Sequence, residues 1–257
     1  MPPSVDGHDG RSARAVLITG AAAGLAQGIA LAFASAGERV AFTYRPGGTP
    51  PDATLALLRS GGSEAVAIPA DFDQPDAAAQ AVEAAEAALG PLEVLVHGVG
   101  PMVLKRFARC TPDDYRAMIE GNLCSAVGLA FAVLPGMRAR RYGRLVFFGM
   151  NGSSATRPAR GLALYGAAKA GLVTFARALA LEEGANGITV NVVEPGDIRD
   201  KTASRTAAQT IAAKNPTGHA GSWEDVADAV RFLTAHDHGF FNGVVLGVNG
   251  GLVEPHE

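Results

Sequence analysis

The chain alternates two apolar patterns. Short runs rich in β-branched and aromatic residues read as buried strands: Ala15–Thr19, Arg39–Tyr44, Ala65–Ile68, Val94–Val96, Gly143–Phe148, Gly187–Val193 and Val244–Val248. Between them apolar residues recur three and four positions apart, as in Leu25, Ile29, Ala32, Phe33 and Ala36, or Leu172, Phe175 and Leu179. That spacing predicts helices with one face turned to a sheet. Local signals place their ends. Ala53–Ser60 is a short predicted helix stopped by Gly61-Gly62, and Asp73, Pro75 and Asp76 start an Ala-rich helix that runs to Leu89 and stops at Gly90-Pro91. Thr111-Pro112-Asp113-Asp114 sets an N-cap, a first-turn proline and two acids at the positive end of another helix. Ser222-Trp223-Glu224-Asp225 opens a later one, with Val226, Val230 and Leu233 inward. Strands alternating with helices predict an α/β fold. The expectation is one doubly wound domain over residues 15–257, with a seven-stranded parallel sheet, helices on both faces and a ligand crevice at the strands' carboxyl ends.

Composition narrows the partners. The chain has 257 residues, 48% of them hydrophobic and 18% charged, with a net charge of -3. This length supports one domain with a substantial core, and the charge gives no basic excess to attract nucleic acid or an anionic membrane. Small molecules are the expected partners. Cys110 and Cys124 form no CxxC and no ligand cluster, so they read as reduced thiols of a cytoplasmic protein. Residues 1–14, rich in Pro, Gly, Ser and charge, predict a flexible tail without the apolar segment of a secretory signal. The longest apolar runs are broken short of the ~20 residues a membrane span requires. His236-Asp237-His238 lacks further ligands nearby and reads as an exposed turn, so no metal is expected.

Two places carry chemistry. The first strand runs into Gly20-Ala21-Ala22-Ala23-Gly24-Leu25-Ala26 and then a helix. Gly20 lets the chain turn, Gly24 lets backbone approach a pyrophosphate, and the helix N-terminus offers N–H groups and positive dipole to an anion. Farther on, Tyr165 and Lys169 are four residues apart, which stacks them on one helix face. A phenol with a pKa of about 10 is a poor catalyst at neutral pH, but a neighbouring ammonium favours phenolate and lowers that value. The pair is expected to trade a proton with a substrate oxygen.

Thr19-Gly20-x-x-x-Gly24-x-Ala26, the Tyr165/Lys169 pair, Pro195-Gly196 and the closing Asn249-Gly250-Gly251 together resemble the short-chain dehydrogenase/reductase family, from about Ala15 to Gly251. The resemblance implies a Rossmann domain that binds a nicotinamide dinucleotide. Expected contacts come from Gly20, Ala22, Gly24 and Leu25 at the turn and from Asp71 and Phe72 near the adenine. His97, Gly98, Tyr165, Lys169, Pro195, Gly196 and Ile198 are expected around the nicotinamide side. Asp71 could equally cap its turn. Asn122, in Glu120-Gly121-Asn122-Leu123, resembles the family asparagine that bends its helix and holds a water touching the active-site lysine; Gly121 favours such an irregularity. Arg45 follows the second strand, where an acid would recognise the ribose of NAD. It either tops the strand before Pro46-Gly47-Gly48 or grips a 2'-phosphate, so NADP(H) is favoured over NAD(H).

Departures from the family pattern matter as much. Ala26 replaces a glycine, so its methyl is expected to push helix and strand slightly apart. His97-Gly98-Val99-Gly100 stands where Asn-Asn-Ala-Gly is usual; His97 is given a cofactor-adjacent role without proton transfer. Met150 occupies the position of the serine that hydrogen-bonds the substrate carbonyl, and a thioether cannot donate. Asn151, Ser153 or Ser154 could replace it if the loop, about two residues longer than usual, folds back. Asp200 stands near a phosphate position and is expected to point away. Arg199 to His219, with Lys201, Arg205 and Lys214, is expected to be a solvated substrate-covering segment. The implied activity is hydride transfer between NADP(H) and a carbonyl or secondary alcohol, similar to 3-oxoacyl-carrier-protein reductases, with Tyr165 as proton donor or acceptor. The substrate would be a small molecule or an acyl thioester. Enoyl reduction and a cofactor-binding protein with little turnover are the alternatives, and the family habit predicts a homo-oligomer, a tetramer or dimer.

Overall fold

The computed structural model describes residues 12–155 and 159–251. Strand β1 (Ala15–Thr19) leads to helix α1 (Gly24–Ser35), β2 (Arg39–Tyr44), α2 (Asp52–Ser60), β3 (Ala65–Pro69), α3 (Ala77–Leu89) and β4 (Leu92–His97). The second half runs α4 (Pro112–Ile119), a π-turn (Glu120–Cys124), α5 (Ser125–Arg140), β5 (Gly143–Phe148), α6 (Ala163–Glu183) and β6 (Ile188–Pro195). It ends with α7 (Arg205–Ala208), α8 (Trp223–Thr234) and β7 (Val245–Val248). The strands form one parallel sheet in the order β3-β2-β1-β4-β5-β6-β7, the doubly wound seven-stranded arrangement expected from the pattern.

A strand buried on both faces needs no polar alternation, and β1 has none. Leu17 joins the apolar layer under α3, α5 and α6, with Ala81, Leu129 and Leu172. Its neighbours Val16 and Ile18 point the other way, into the layer under α1 and α8 with Ile29, Phe33, Val226 and Val230. Side chains the size of Phe33 or Phe147, both fully buried, each contribute about 1.5–3 kcal/mol by leaving water. Two of the predicted helix starts form capping boxes, Thr111 with Asp114 and Ser222 with Asp225, whereas Asp76 precedes α3 without a side-chain cap.

The chain steps outward from β1 through β2 to β3, then returns to place β4 on the other side of β1. Ligand crevices open at the carboxyl ends of strands where the order reverses in this way.

Three expectations are corrected. Arg14, assigned to a loose tail, is fixed: its guanidinium meets the Glu38 carboxylate at 2.5 Å and donates to the Thr234 carbonyl at 2.6 Å. The tail over residues 1–11 and the last residues of the 15–257 domain lie outside the described residues. Two helical stretches, Pro112–Arg140 and Ala163–Asn186, are long and apolar enough to cross a membrane. Their apolar residues include Leu129, Val133, Leu172 and Ala176, which build the core against the sheet. The segment after β6 is only partly a loop, because α7 is tied to α8 through Arg205, which reaches Asp225 and Asp228.

Candidate active site

Backbone geometry at the end of β1 follows from its glycines. Gly20 (φ 71°) and Gly24 (φ 66°) occupy the left-handed region that side-chain-bearing residues avoid. Ala23, the N-cap of α1, has no side-chain acceptor, and no acid lies in the first turn. The leading N–H groups of α1 are therefore left for an anionic ligand. The Ala26 methyl does not force helix and strand apart, because Gly98 makes room for it. A Cβ on Gly98 would stand 2.7 Å from the Ala26 Cβ and 2.6 Å from the Thr19 carbonyl oxygen. Leu25 lines the cleft above this turn, whereas Ala22 is buried below it with its carbonyl accepting from Thr54 Oγ1 at 3.0 Å.

The adenine-side residues meet one another. Arg45 ends β2 with an exposed guanidinium that pairs with Asp73 at 2.7 Å and Asp71 at 3.2 Å. Phe72 turns away from the cleft and stands edge-on to the His97 ring, centroids 6.0 Å apart.

His97 is not brought to the cleft surface; its ring is buried under it, with both nitrogens engaged. Thr19 Oγ1 accepts from the Gly98 and Val99 N–H groups, so its own proton is directed to His97 Nδ1 at 2.8 Å. Nε2 then carries the ring proton and donates to Ser125 Oγ at 2.9 Å, and Ser125 donates to the Gly121 carbonyl. Burial, with a smaller repulsion from Lys169, pushes the histidine pKa down to about 3, which keeps this neutral tautomer in place. The expected direct contact with cofactor is thus replaced by a chain that ties the ends of β1 and β4 to the π-turn.

That π-turn carries Asn122, fully buried. Its Nδ2 donates to the Pro101 and Met118 carbonyls at 2.9 and 3.0 Å, and its Oδ1 has no partner among the described residues. A Cβ on Gly100 would stand 2.9 Å from this Oδ1 and 3.1 Å from Lys169 Nζ, so the missing side chain opens the space that both groups face. An orphaned buried acceptor beside an ammonium is costly in isolation, and a bound polar ligand or water relieves it.

Tyr165 and Lys169 both line the cleft from α6, with Nζ 5.6 Å from the phenol ring centre. Burial holds the Lys169 ammonium down to about 8, and Nζ donates to the Phe148 carbonyl at 2.7 Å. The expected lowering of the tyrosine is not what the structure shows. Burial raises the Tyr165 pKa above its ordinary value, and Nζ donates to the Phe148 carbonyl.

After β5 the chain presents Gly149, Met150 and Asn151 to the cleft. Ser153 and Ser154 do not fold back toward substrate. Both bind the buried Glu194 carboxylate near the end of β6: Ser153 Oγ donates at 2.7 Å, the Ser154 N–H at 2.7 Å and the Gly152 N–H at 3.1 Å. Of the three replacements considered for the missing serine, only Asn151 reaches the cleft, where its Oδ1 accepts from Asn249 at 2.6 Å. Sequence reasoning missed Glu194, although an acid ending an otherwise apolar strand was a visible signal. It also left Lys201 in a solvated loop. The Lys201 side chain instead lies 3.6 Å from where a Gly24 Cβ would be, above the glycine turn. Asp200 does not line the cleft, and its carboxylate accepts from the Thr202 N–H and Oγ1.

Pro195, Gly196 and Ile198 close the cleft, and a Cβ on Gly196 would strike Asn249 at 2.6 Å. The cavity measures about 660 Å³ and runs from Gly20 and Gly24 past Gly98 to Tyr165 and Lys169. Glycine cradle, uncapped helix end and cleft fit a dinucleotide; a half-buried phenol beside a buried ammonium at the far end fits proton transfer to a small substrate. These features fit a dinucleotide-binding scaffold of the doubly wound class.

Comparison with known proteins makes this specific. Residues 20–253 match the family model described as Enoyl-(Acyl carrier protein) reductase. The acetoacetyl-CoA reductase of Shinella zoogloeoides is 32% identical over 242 residues, covering 93% of this chain and 98% of the relative. The 3-oxoacyl-(acyl-carrier-protein) reductase FabG of Escherichia coli is 33% identical over 239 residues, covering 92% and 96%. A variant of actinorhodin polyketide ketoreductase solved with NADPH superposes with a TM-score of 0.84 at 28% identity, covering 93% and 97%. The chain belongs to the short-chain dehydrogenase/reductase family of oxidoreductases.

Proposed function

We propose that the protein is an NADP(H)-dependent reductase of 3-oxoacyl thioesters, working on the carbonyl. The observation that carries the reading is the convergence of Tyr165 and Lys169 on the far end of a cleft whose near end is a phosphate cradle. When bound, the nicotinamide supplies hydride. The chain's part is to hold the substrate oxygen within reach of Tyr165 and to give it the phenol proton. With its pKa raised by burial, Tyr165 keeps that proton through the neutral range. Lys169, charged below about pH 8, favours the phenolate left behind and binds the nicotinamide ribose. Asn122, through its unpaired Oδ1, supports a water-borne path that returns the proton to Tyr165. Arg45 serves a 2'-phosphate, in exchange for its present pairing with Asp71 and Asp73. Gly20, Gly24, Leu25, Gly98, Pro195, Gly196 and Ile198 form the cofactor wall, while Ala22, Phe72 and His97 support it from beneath. Lys201 contributes a cation over the pyrophosphate.

The thioester class follows the names of two relatives that act on acetoacetyl-CoA and 3-oxoacyl-carrier-protein. A cytoplasmic location fits that substrate class. The large apolar residues Phe131 on α5 and Leu181 on α6, 76% and 87% exposed, favour a homo-oligomer, dimer or tetramer.

Enoyl reduction is the second reading. It is favoured by Met150 at the serine position and by the capture of Ser153 and Ser154 by Glu194, which leave less hydrogen bonding for a carbonyl oxygen. NADPH absorbance followed with ketones, 3-oxoacyl thioesters and enoyl thioesters separates these readings. Consumption with 3-oxoacyl thioesters supports the first, and consumption with enoyl thioesters alone supports the second. Binding without consumption supports a cofactor-binding protein. Tyr165→Phe is expected to lower turnover by about 10²–10⁴-fold, the usual worth of a general acid; unchanged turnover refutes the assignment of the proton donor.

A further inference from the structure

Beside the mouth of the cleft lies a second depression of about 600 Å³, formed by Leu104, Lys105, Arg106, Arg109, Arg160 and Gly161. Two segments build it: the loop between β4 and α4, with a tight turn at Phe107–Arg109, and the loop that enters α6. The segments are tied together, with the Lys105 N–H donating to the Gly161 carbonyl at 2.9 Å. They are also the rim of the cleft, since Met102, Ala159 and Leu162 line its mouth. The two depressions therefore share a border, one residue or two away along each segment.

We propose that this basic depression holds the phosphate-bearing end of a coenzyme A thioester whose acyl group lies in the cleft beside Tyr165. The proposal rests on the reductase reading and adds where its substrate's carrier is bound. Lys105 is paired with Asp114 at 2.8 Å, but Arg106, Arg109 and Arg160 have no carboxylate partner among the described residues. Three guanidinium groups gathered without counter-charge repel one another, and phosphate oxygens match their donor geometry. Large apolar side chains continue along the same strip: Met102, Leu104 and Phe107 are 60%, 69% and 70% exposed. Met102 and Leu104 stand where the thin pantetheine arm, with its methylene and dimethyl groups between two amides, crosses the rim. Phe107 does not line the depression, but it follows Arg106 in the chain and its exposed ring is available to a purine at the edge. Arginines with an exposed aromatic at their border suit a nucleotide better than the acidic helix of a carrier protein, which presents no base to stack.

The test compares one 3-oxoacyl group on three carriers: coenzyme A, N-acetylcysteamine and acyl carrier protein. Arg106→Glu/Arg109→Glu/Arg160→Glu should raise KM for the coenzyme A thioester by at least about tenfold, roughly 1.4 kcal/mol of binding. KM for the N-acetylcysteamine thioester and kcat on both should be unchanged, with the melting temperature reporting an intact fold. Phe107→Ala should raise the coenzyme A KM alone. Equal changes on both small thioesters, or none, overturn the proposal. A rise confined to the carrier-protein substrate also overturns it, and makes the partner an acidic protein. Calorimetry of free coenzyme A with NADPH saturating decides the matter even if no thioester is reduced. Binding lost in the triple variant upholds the subsite while the reductase reading fails, and equal binding by both proteins refutes the subsite.

Discussion

Replacing Lys169 by Met should stabilise the folded protein at neutral pH while ending its catalysis. Lys169 is 3% exposed, and burial alone brings its pKa from 10.5 to about 8. Keeping it charged in the folded protein below that pH costs about 3 kcal/mol, at roughly 1.4 kcal/mol per pH unit. Met has similar length and no charge to desolvate. The variant loses the hydrogen bond to the Phe148 carbonyl, a loss of about 1–2 kcal/mol when the acceptor stays buried. A net gain of about 1–2 kcal/mol remains, which for a domain of this size raises Tm by roughly 2–8 °C. The sign with pH is fixed by linkage. The folded pKa lies below the unfolded one, so the penalty is fully present below about pH 8 and vanishes as pH rises toward 10.5. The Tm advantage of Lys169→Met should therefore be largest near neutrality and shrink from pH 8 to 10, measured by calorimetry on both proteins at matched ionic strength. A variant less stable than the parent at pH 7, or a difference that does not move with pH, refutes the claim that desolvation of Lys169 governs this site.

Two substitutions separate the phosphates of the cofactor. Arg45→Asp should weaken NADPH by about tenfold or more without weakening NADH, because only one carries the 2'-phosphate and an acid here suits the free ribose. Lys201→Ala should weaken both dinucleotides to the same extent, by roughly three- to tenfold, since the pyrophosphate is common to them; fluorescence titration reads both constants, and a discriminating Lys201 variant contradicts its placement over the glycine turn. Glu194→Gln keeps the shape but turns amide protons toward either the Gly152 or the Ser154 N–H donor, which sit on different carboxylate oxygens, so urea unfolding should show a loss of about 1–3 kcal/mol. A neutral result there shows that the loop does not depend on the carboxylate.

The sheet was legible because parallel strands buried on both sides are near-continuous apolar runs, and glycine turns mark where each ends. Glycine turns and helical spacing also pointed to the turn after β1 and to the Tyr165/Lys169 pair, whereas the irregularity at Gly121-Asn122 came from the family resemblance. What the pattern hid depends on partners distant in the chain. No spacing rule links Ala26 to Gly98, yet the methyl of one occupies the space left by the other. Arg45 was recognisable as a cation, but its pairing with Asp71 and Asp73 follows from β2 and β3 running side by side. His97 has the composition of a site residue, and only the register Thr19↔His97 turns its ring into the core. The serines near Met150 looked like replacements until β6 brought Glu194 against them.

The cost at Lys169 and the expected chemistry have one origin. No carboxylate neutralises this ammonium among the hydrogen bonds and ion pairs of the described residues; its recorded partner is a neutral carbonyl. Burial leaves the phenol of Tyr165 protonated and the ammonium undercompensated, so the site in this form is poor for a phenolate yet strained by a bare cation. On the proposed chemistry, negative charge would appear only when Tyr165 gives up its proton to a substrate oxygen, near the cation whose hydration has already been removed. An interaction absent from the resting site and present as charge develops lowers the barrier rather than merely tightening binding. Reduction should then fall away above about pH 8, as Lys169 becomes neutral, even though Tyr165 still holds its proton there. A kcat/KM profile that stays flat to pH 10 is incompatible with that coupling.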